Sequence, residues 1–169
     1  MNLIPRRFLP IIFICFWCVA TPALYAFEGP DNHLDGFNWL VDGGKWSDGA
    51  TMQEFEWGLD RMSVKSRSYA VSEGEHRLVS EGVWFWHPGK KVIKGHFFAV
   101  EMPFSFIESE AEFDGSRLIH RLSTYSGDKK PVEYVEVIEE ASGGSYSWKL
   151  FSGRTPIGKA MMTADFRKK

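Results

Sequence analysis

The sequence predicts an all-β protein, an antiparallel up-and-down barrel of about 8–10 strands with a short N-terminal helix. After Trp46, apolar and polar residues alternate in short segments, and Gly, Asp and Pro turns separate these segments at intervals of roughly 10–15 residues. No long amphipathic helix interrupts this pattern. An antiparallel sheet of this size tends to close, because closure removes exposed edge strands. A β-sandwich is the alternative, although it would show longer crossover connections.

The N-terminus has the pattern of a secretory signal peptide. Arg6 and Arg7 precede an apolar run over 9–20, and small residues follow up to Ala26. We therefore expect residues 1–26 to be a signal peptide. An uncleaved membrane anchor is the alternative, but the apolar run is shorter than the roughly 20 residues that span a bilayer.

Cleavage after Ala23 or Ala26 would leave one domain, residues 27–169, as the mature protein. We expect this protein to be periplasmic or secreted, with no stable membrane span after cleavage. Both cysteines, Cys15 and Cys18, lie in the predicted signal peptide. The mature domain therefore has neither disulfides nor thiolate metal sites, and its stability must come from its core.

The composition argues against nucleic acid as a partner. The 169-residue chain has a net charge of −2, and no basic run is interleaved with aromatic residues. Its 7 Trp and 14 Phe make it rich in aromatic residues, which supply large apolar surfaces to a core or to a pocket wall.

The only helical signal after residue 26 comes before the first strand. Asp31 could cap a helix in which Leu34, Phe37 and Val41 recur at helical spacing, although Gly36 weakens the signal.

Turn residues predict the register of the first three hairpins. The predicted pairs are Trp57–Met62, Val71–Glu75 (hence Ser68–Leu78) and Trp86–Lys91. These registers place one apolar set inside: Phe55, Trp57, Met62, Val64, Leu78, Trp84, Trp86, Ile93 and Phe97. A slip of one residue would turn every side chain of a strand to the other face, so this consistency supports the registers.

The fourth hairpin has the strongest turn signal, Asp114–Gly115. It predicts that Glu112 faces Arg117 on the outer surface and that Ser109 faces His120 inside. Tyr146, Trp148 and Leu150 alternate on a later strand. Residues 132–140 are also extended, but the sequence leaves their inward face open.

Three carboxylates with a period of two, Glu108, Glu110 and Glu112, could bind a cation. The predicted partners of two of them, Arg121 and Arg117, instead indicate a charge-paired outer face. We therefore expect no metal site. His96 is predicted to lie opposite Glu81 on the outer face.

Two segments carry a resemblance to a known fold. The segment Phe37–Trp46, FNWLVDGGKW, resembles the helix and Gly-x-Trp start of lipocalin-like, or calycin, barrels. The segment Ser80–Pro88, SEGVWFWHP, resembles an aromatic strand and turn in uncharacterised bacterial families of that fold. The resemblance covers most of the mature chain. It implies a barrel that binds a small hydrophobic molecule, while a minority of relatives are enzymes or bind haem.

The haem-binding relatives use a histidine near the C-terminal end, and 154–169 contains none. We therefore expect no cofactor.

Small residues beside aromatic ones predict an internal cavity, because packed cores avoid voids. The inward small residues are Ser66, Ser68, Ser80, Gly82, Gly95 and Ser109. The predicted aromatic wall is Phe55, Trp57, Trp84, Trp86, Phe97 and Trp148. His120 and Ser109 would be its polar contacts. A core histidine bonded to a hydroxyl or carbonyl is the alternative for His120.

The sequence therefore predicts an exported binding protein for a hydrophobic small molecule held in the barrel. One alternative is an isomerase- or cyclase-type enzyme that uses His120, which the lack of a second inward titratable group disfavours. The other is a ligand-free structural or interaction protein of the cell envelope. No catalytic residue is assigned, because no His-x-His, His-Glu-x-x-His or Gly-x-Ser-x-Gly motif occurs.

Overall fold

The computed structural model describes residues 32–169, and it shows a closed barrel of antiparallel strands. The strands are β1 (Lys45–Ser47), β2 (Thr51–Trp57), β3 (Ser63–Ser72), β4 (Glu75–His87), β5 (Val92–Ala99), β6 (Phe106–Asp114), β7 (Arg117–Tyr125), β8 (Val132–Ala141), β9 (Ser145–Ser152) and β10 (Met162–Lys168). A 3₁₀ helix (Asn32–Phe37) and helix α1 (Asn38–Gly43) precede β1, and a 3₁₀ turn (Leu59–Arg61) follows β2. The predicted signal peptide, residues 1–26, and the predicted cap Asp31 lie outside the described residues.

Each strand pairs with the next one along the chain, and β1 pairs with β10 to close the barrel. This arrangement confirms the predicted all-β, up-and-down barrel with a short N-terminal helix, and the sandwich alternative is wrong. The architecture is compatible with a lipocalin-like fold, although lipocalins themselves have eight strands. Within residues 32–169, no helix has the length and apolar character that crossing a bilayer requires.

The N-terminal helical segment covers one end of the barrel. Phe37 is fully buried there, with its ring 5.1 Å from Trp84 and 4.9 Å from Phe113. Gly36 is needed at this contact, because a Cβ at that position would lie 2.4 Å from the Phe113 ring. The indole of Trp46 donates to the Leu40 carbonyl at 2.9 Å. We call this end the helix end, and the opposite end the loop end.

Loops of an up-and-down barrel alternate between its two ends. The helix end has the loops 58–62, 88–91, 115–116 and 142–144. The loop end has the loops 48–50, 73–74, 100–105, 126–131 and 153–161.

The first and third predicted registers are wrong by two residues. Trp57 pairs with Val64 rather than Met62, and Trp86 pairs with Ile93 rather than Lys91. Both loops are longer than the turn residues suggested, so pairing starts later. Because a shift of two preserves the face of every side chain, the predicted inner face survives. Met62 is the exception, since it lies in the loop and is 48% exposed.

The β3–β4 register is wrong for a different reason. The turn has two residues, Glu73–Gly74, so Val71 pairs with His76 instead of Glu75. A β-bulge near Ser68 then makes Ser68 pair with Ser80 instead of Leu78. The bulge adds a residue to one strand and reverses the alternation beyond it. Leu78, which was expected inside, is therefore 41% exposed.

The β6–β7 hairpin is also shifted by two residues, because its loop is Gly115–Ser116. Glu112 lies opposite Ile119 rather than Arg117 and pairs with Arg121 at 2.6 Å.

The same shift changes the partners on the inner face. Ser109 lies opposite Leu122, and His120 lies opposite Ala111.

The face of β8 that the sequence left open is now assigned. Tyr134, Glu136 and Ile138 share the inner face with residues of the main core. Val135 and Val137 point outward but are also buried, in a second cluster with Phe151, Ile119 and Ala160. Both faces of β8 are thus covered, which explains why no simple alternation marks this strand.

Candidate functional site

The barrel interior contains a cavity of about 80 Å³ that is partly open to solvent. Its apolar lining residues are Phe55, Trp84, Phe97, Ile107, Leu122, Ile138 and Trp148. Its polar lining residues are Gln53, Ser66, Ser68, Ser80, His120 and Glu136. The wall is therefore mixed, whereas the sequence predicted a mainly hydrophobic one with two polar contacts.

The cavity lies in the middle of the barrel and toward the loop end. Along β4, Trp86 lies nearest the helix, Trp84 lies further away and Ser80 lies furthest. Of these three, Trp84 and Ser80 line the cavity. Side chains fill the half of the interior that adjoins the helix, where Leu118 and Val64 are fully buried. The cavity is therefore nearer to solvent at the loop end than at the helix end.

Five of the predicted site residues line this cavity: Phe55, Trp84, Phe97, His120 and Trp148. Trp57 and Trp86 do not, because both lie at the helix end. The Arg61 guanidinium lies 4.3 Å from the Trp57 ring, and the His33 ring stacks on Trp86 at 3.7 Å. These two tryptophans help to close the barrel.

Ser109, the remaining predicted site residue, is buried but is not part of the cavity wall. Its hydroxyl lies 2.4 Å from the point where a Cβ of Gly95 would be. The hydroxyl is buried without a hydrogen-bond partner in the described part of the chain. Ser109 thus fills the space that the glycine leaves.

The predicted small residues divide into two groups. Ser66, Ser68 and Ser80 line the cavity. The space beside Gly82 is instead occupied by the ring of Phe97, which lies 2.1 Å from the position of a Cβ. The prediction that Gly82 borders the void is therefore wrong, although Trp84 does border it.

A buried hydrogen-bonded chain of three side chains crosses the interior. Trp84 Nε1 donates to His120 Nε2 at 3.0 Å, and His120 Nδ1 lies 2.9 Å from Glu136 Oε2. Trp84 and His120 are each 3% exposed, whereas the Glu136 side chain is 22% exposed. Glu136 is thus the member of the chain that is most accessible from the cavity.

The chain fixes the protonation of His120. An indole N–H can only donate, so Nε2 must be the unprotonated, accepting nitrogen. The proton of the neutral ring then lies on Nδ1 and is donated to the Glu136 carboxylate. An imidazolium would present an N–H to the indole N–H, so His120 is neutral while this bond exists.

Glu136 is the ionisable residue of the candidate site that the sequence did not predict. It lies directly opposite His120 in the β7–β8 pair. The loop between these strands, 126–131, is too long for turn type to fix a register, and both faces of β8 are buried. No local sequence signal therefore identified it as an inward residue.

A tyrosine next to the cavity has a perturbed pKa. Tyr146 is buried, and its hydroxyl donates to Gln53 Oε1. Burial raises the pKa of Tyr146 far above its usual range, and the negative charges of Glu136 and Asp48 raise it further.

The outer carboxylates are engaged by neighbouring side chains. Glu108 accepts from the Tyr125 hydroxyl at 2.9 Å, and Glu110 pairs with Lys94 at 2.6 Å. The hydrogen bond from Lys94 lowers the pKa of Glu110. Over residues 32–169, no three His, Cys, Asp or Glu side chains are placed to hold a metal ion. His96 lies opposite Val83 and Glu108 rather than Glu81.

Comparison of the chain with models of protein families, with curated proteins and with solved structures finds no match.

Proposed function

We propose that this protein is an exported binding protein for a small hydrophobic molecule held in the barrel interior. The observation that carries the proposal is the partly open cavity with aromatic side chains in its wall, Phe55, Trp84, Phe97 and Trp148. Binding sites for small molecules are typically concave and mostly apolar, with a few polar groups that orient the ligand.

The size of the cavity limits what it can enclose. An engineered apolar cavity of roughly 150 Å³ binds benzene, so about 80 Å³ encloses a smaller group. A larger molecule would insert one end and leave the rest at the loop end. Exposed apolar residues surround that end and would contact it: Val100, Met102, Val132, Ile157 and Met162.

A variant that fills the cavity tests this proposal. Ser80→Leu should abolish uptake of a fluorescent hydrophobic probe, because the larger side chain occupies the cavity. Glu112→Gln, on the outer face, is the control and should bind the probe as the parent does. A parent protein that takes up no probe, together with a ligand-free mass in native mass spectrometry after purification from its own host, would contradict the proposal.

Export is part of the same proposal and has its own test. N-terminal sequencing of the exported protein should give a chain that begins at Phe27 or Leu24. An intact chain from Met1 in the membrane fraction would contradict export.

An enzyme is the second candidate, because Glu136 supplies the second inward titratable group that the sequence lacked. The geometry favours the carboxylate over the imidazole as a base, since Trp84 occupies His120 Nε2. Chromatography of the ligand before and after incubation can separate the two candidates: an isomerase- or cyclase-type enzyme would convert it to a product of equal mass and different retention, and a binding protein would release it unchanged.

A further inference from the structure

The cavity wall carries a charge that a purely hydrophobic ligand would leave unpaired. Among residues 32–169, His120 and Glu136 are the ionisable side chains that line the cavity, and no lysine or arginine of this range does. His120 is neutral while it accepts from Trp84, so the Glu136 carboxylate leaves one uncompensated negative charge inside the barrel. A charge in a partly buried site is costly unless it is paired.

Only one carboxylate oxygen has a partner among the described residues. His120 Nδ1 bonds to Oε2, and Oε1 makes no hydrogen bond within residues 32–169. An ionised carboxylate accepts several hydrogen bonds, so Glu136 retains accepting capacity on the cavity side.

Other residues of the wall suit the same kind of ligand group. Strands β3 and β8 lie on opposite sides of the ten-stranded barrel, so Ser66 and Ser68 lie across the cavity from Glu136. Hydroxyls can accept hydrogen bonds from an ammonium group. Aromatic rings such as those of Trp148 and Phe55 attract cations through their π faces.

From these observations we infer that the ligand is a cationic amphiphile, a molecule with an amino group that pairs with Glu136 and an apolar chain that extends to the loop end. This inference rests on the proposed function, because it identifies the ligand class of the same cavity. An ammonium group with its first carbons is small enough for a cavity of about 80 Å³. A free fatty acid is the opposite case, since its carboxylate would be repelled by Glu136.

The test compares three probes with the same chain and different head groups: n-octylamine, n-octanol and octanoate, each measured by quenching of tryptophan fluorescence. The wild-type protein should bind n-octylamine at least about tenfold more tightly than n-octanol, the effect expected of one hydrogen bond to a charged group. Octanoate should bind most weakly.

Two matched variants identify the residue responsible. Glu136→Gln keeps an acceptor for His120 but removes the charge, so it should weaken n-octylamine binding about tenfold and change n-octanol binding less than about twofold. Glu133→Gln removes the same charge from the outer face of β8, where Glu133 pairs with Arg154. It should change neither affinity.

The outcomes separate the two proposals. Equal binding of n-octylamine and n-octanol would overturn the inference and leave the binding function standing, as would equal effects of Glu136→Gln and Glu133→Gln. Binding of none of the three probes would contradict the binding function itself. The head-group comparison needs only the wild-type protein, so it decides the matter even if Glu136→Gln fails to fold.

Discussion

Trp84 Nε1 donates a hydrogen bond to His120 Nε2 at 3.0 Å, so an indole occupies the ring nitrogen that a catalytic base would need. This contact predicts that His120 is present as the neutral Nδ1–H tautomer in the folded protein. Two-bond ¹H–¹⁵N NMR spectra should show a protonated Nδ1 and an unprotonated Nε2 for His120 at neutral pH. A ring protonated at both nitrogens, or at Nε2 alone, would disprove the assignment.

The same hydrogen bond should be visible as an energetic coupling. Trp84→Phe leaves the buried Nε2 of His120 without a donor and should destabilise the fold by about 1–3 kcal/mol, in addition to any packing loss. In a His120→Leu background the acceptor is already gone, so Trp84→Phe should cost less. Urea denaturation of the four proteins in this double-mutant cycle measures the difference, and strictly additive effects would refute the coupling.

Tyr146 should make stability fall with rising pH in the alkaline range. Its pKa in the folded protein is above the value of about 10 in the unfolded chain, so unfolding releases its proton once the pH exceeds about 10. Tyr146→Phe should therefore lose less stability than the wild type as the pH rises beyond that point. Denaturation curves at several alkaline pH values measure this, and parallel losses in the two proteins would contradict it.

The outer face of the β6–β7 hairpin provides a test of register. Glu112 pairs with Arg121 at 2.6 Å rather than with Arg117. Exposed pairs contribute about 0.2–1 kcal/mol, so a double-mutant cycle of Glu112→Gln with Arg121→Gln should show a small favourable coupling. The cycle with Arg117→Gln is the control and should show a coupling nearer zero. A larger coupling to Arg117 would support the register predicted from the turn residues instead.

The sequence was sufficient to predict the barrel because alternation and turns are local signals. Three of the predicted registers, those at Trp57, Trp86 and Glu112, were wrong by two residues, yet the inner face survived because the error was even. The bulge near Ser68 shifts the alternation by a single residue, so Leu78 lies on the outer face instead of the predicted inner face. Bulges depend on contacts between strands, which a single chain read locally does not reveal.

The candidate site was predictable only in its aromatic part. Phe55, Trp84 and Phe97 follow from alternation within their own hairpins. Glu136 depends on how β8 pairs with β7 across the long loop 126–131, and no local pattern determines that pairing. Only its contact with His120 in the folded structure shows that Glu136 belongs to the candidate site.

A larger side chain should destabilise the fold at one small residue of β4, Gly82, and should leave its stability nearly unchanged at another, Ser80. At Gly82 a Cβ would lie 2.1 Å from the Phe97 ring and 2.4 Å from the His96 carbonyl oxygen, so Gly82→Ala forces a ring and a strand to move. Overpacking of this kind costs typically about 1–3 kcal/mol. Ser80 lines the cavity, so Ser80→Val has space for its added methyl groups and should change stability by less than about 1 kcal/mol. Thermal and urea denaturation of both variants give the comparison. If Gly82→Ala is neutral while Ser80→Val is strongly destabilising, the void lies beside Gly82 and the described cavity is wrong.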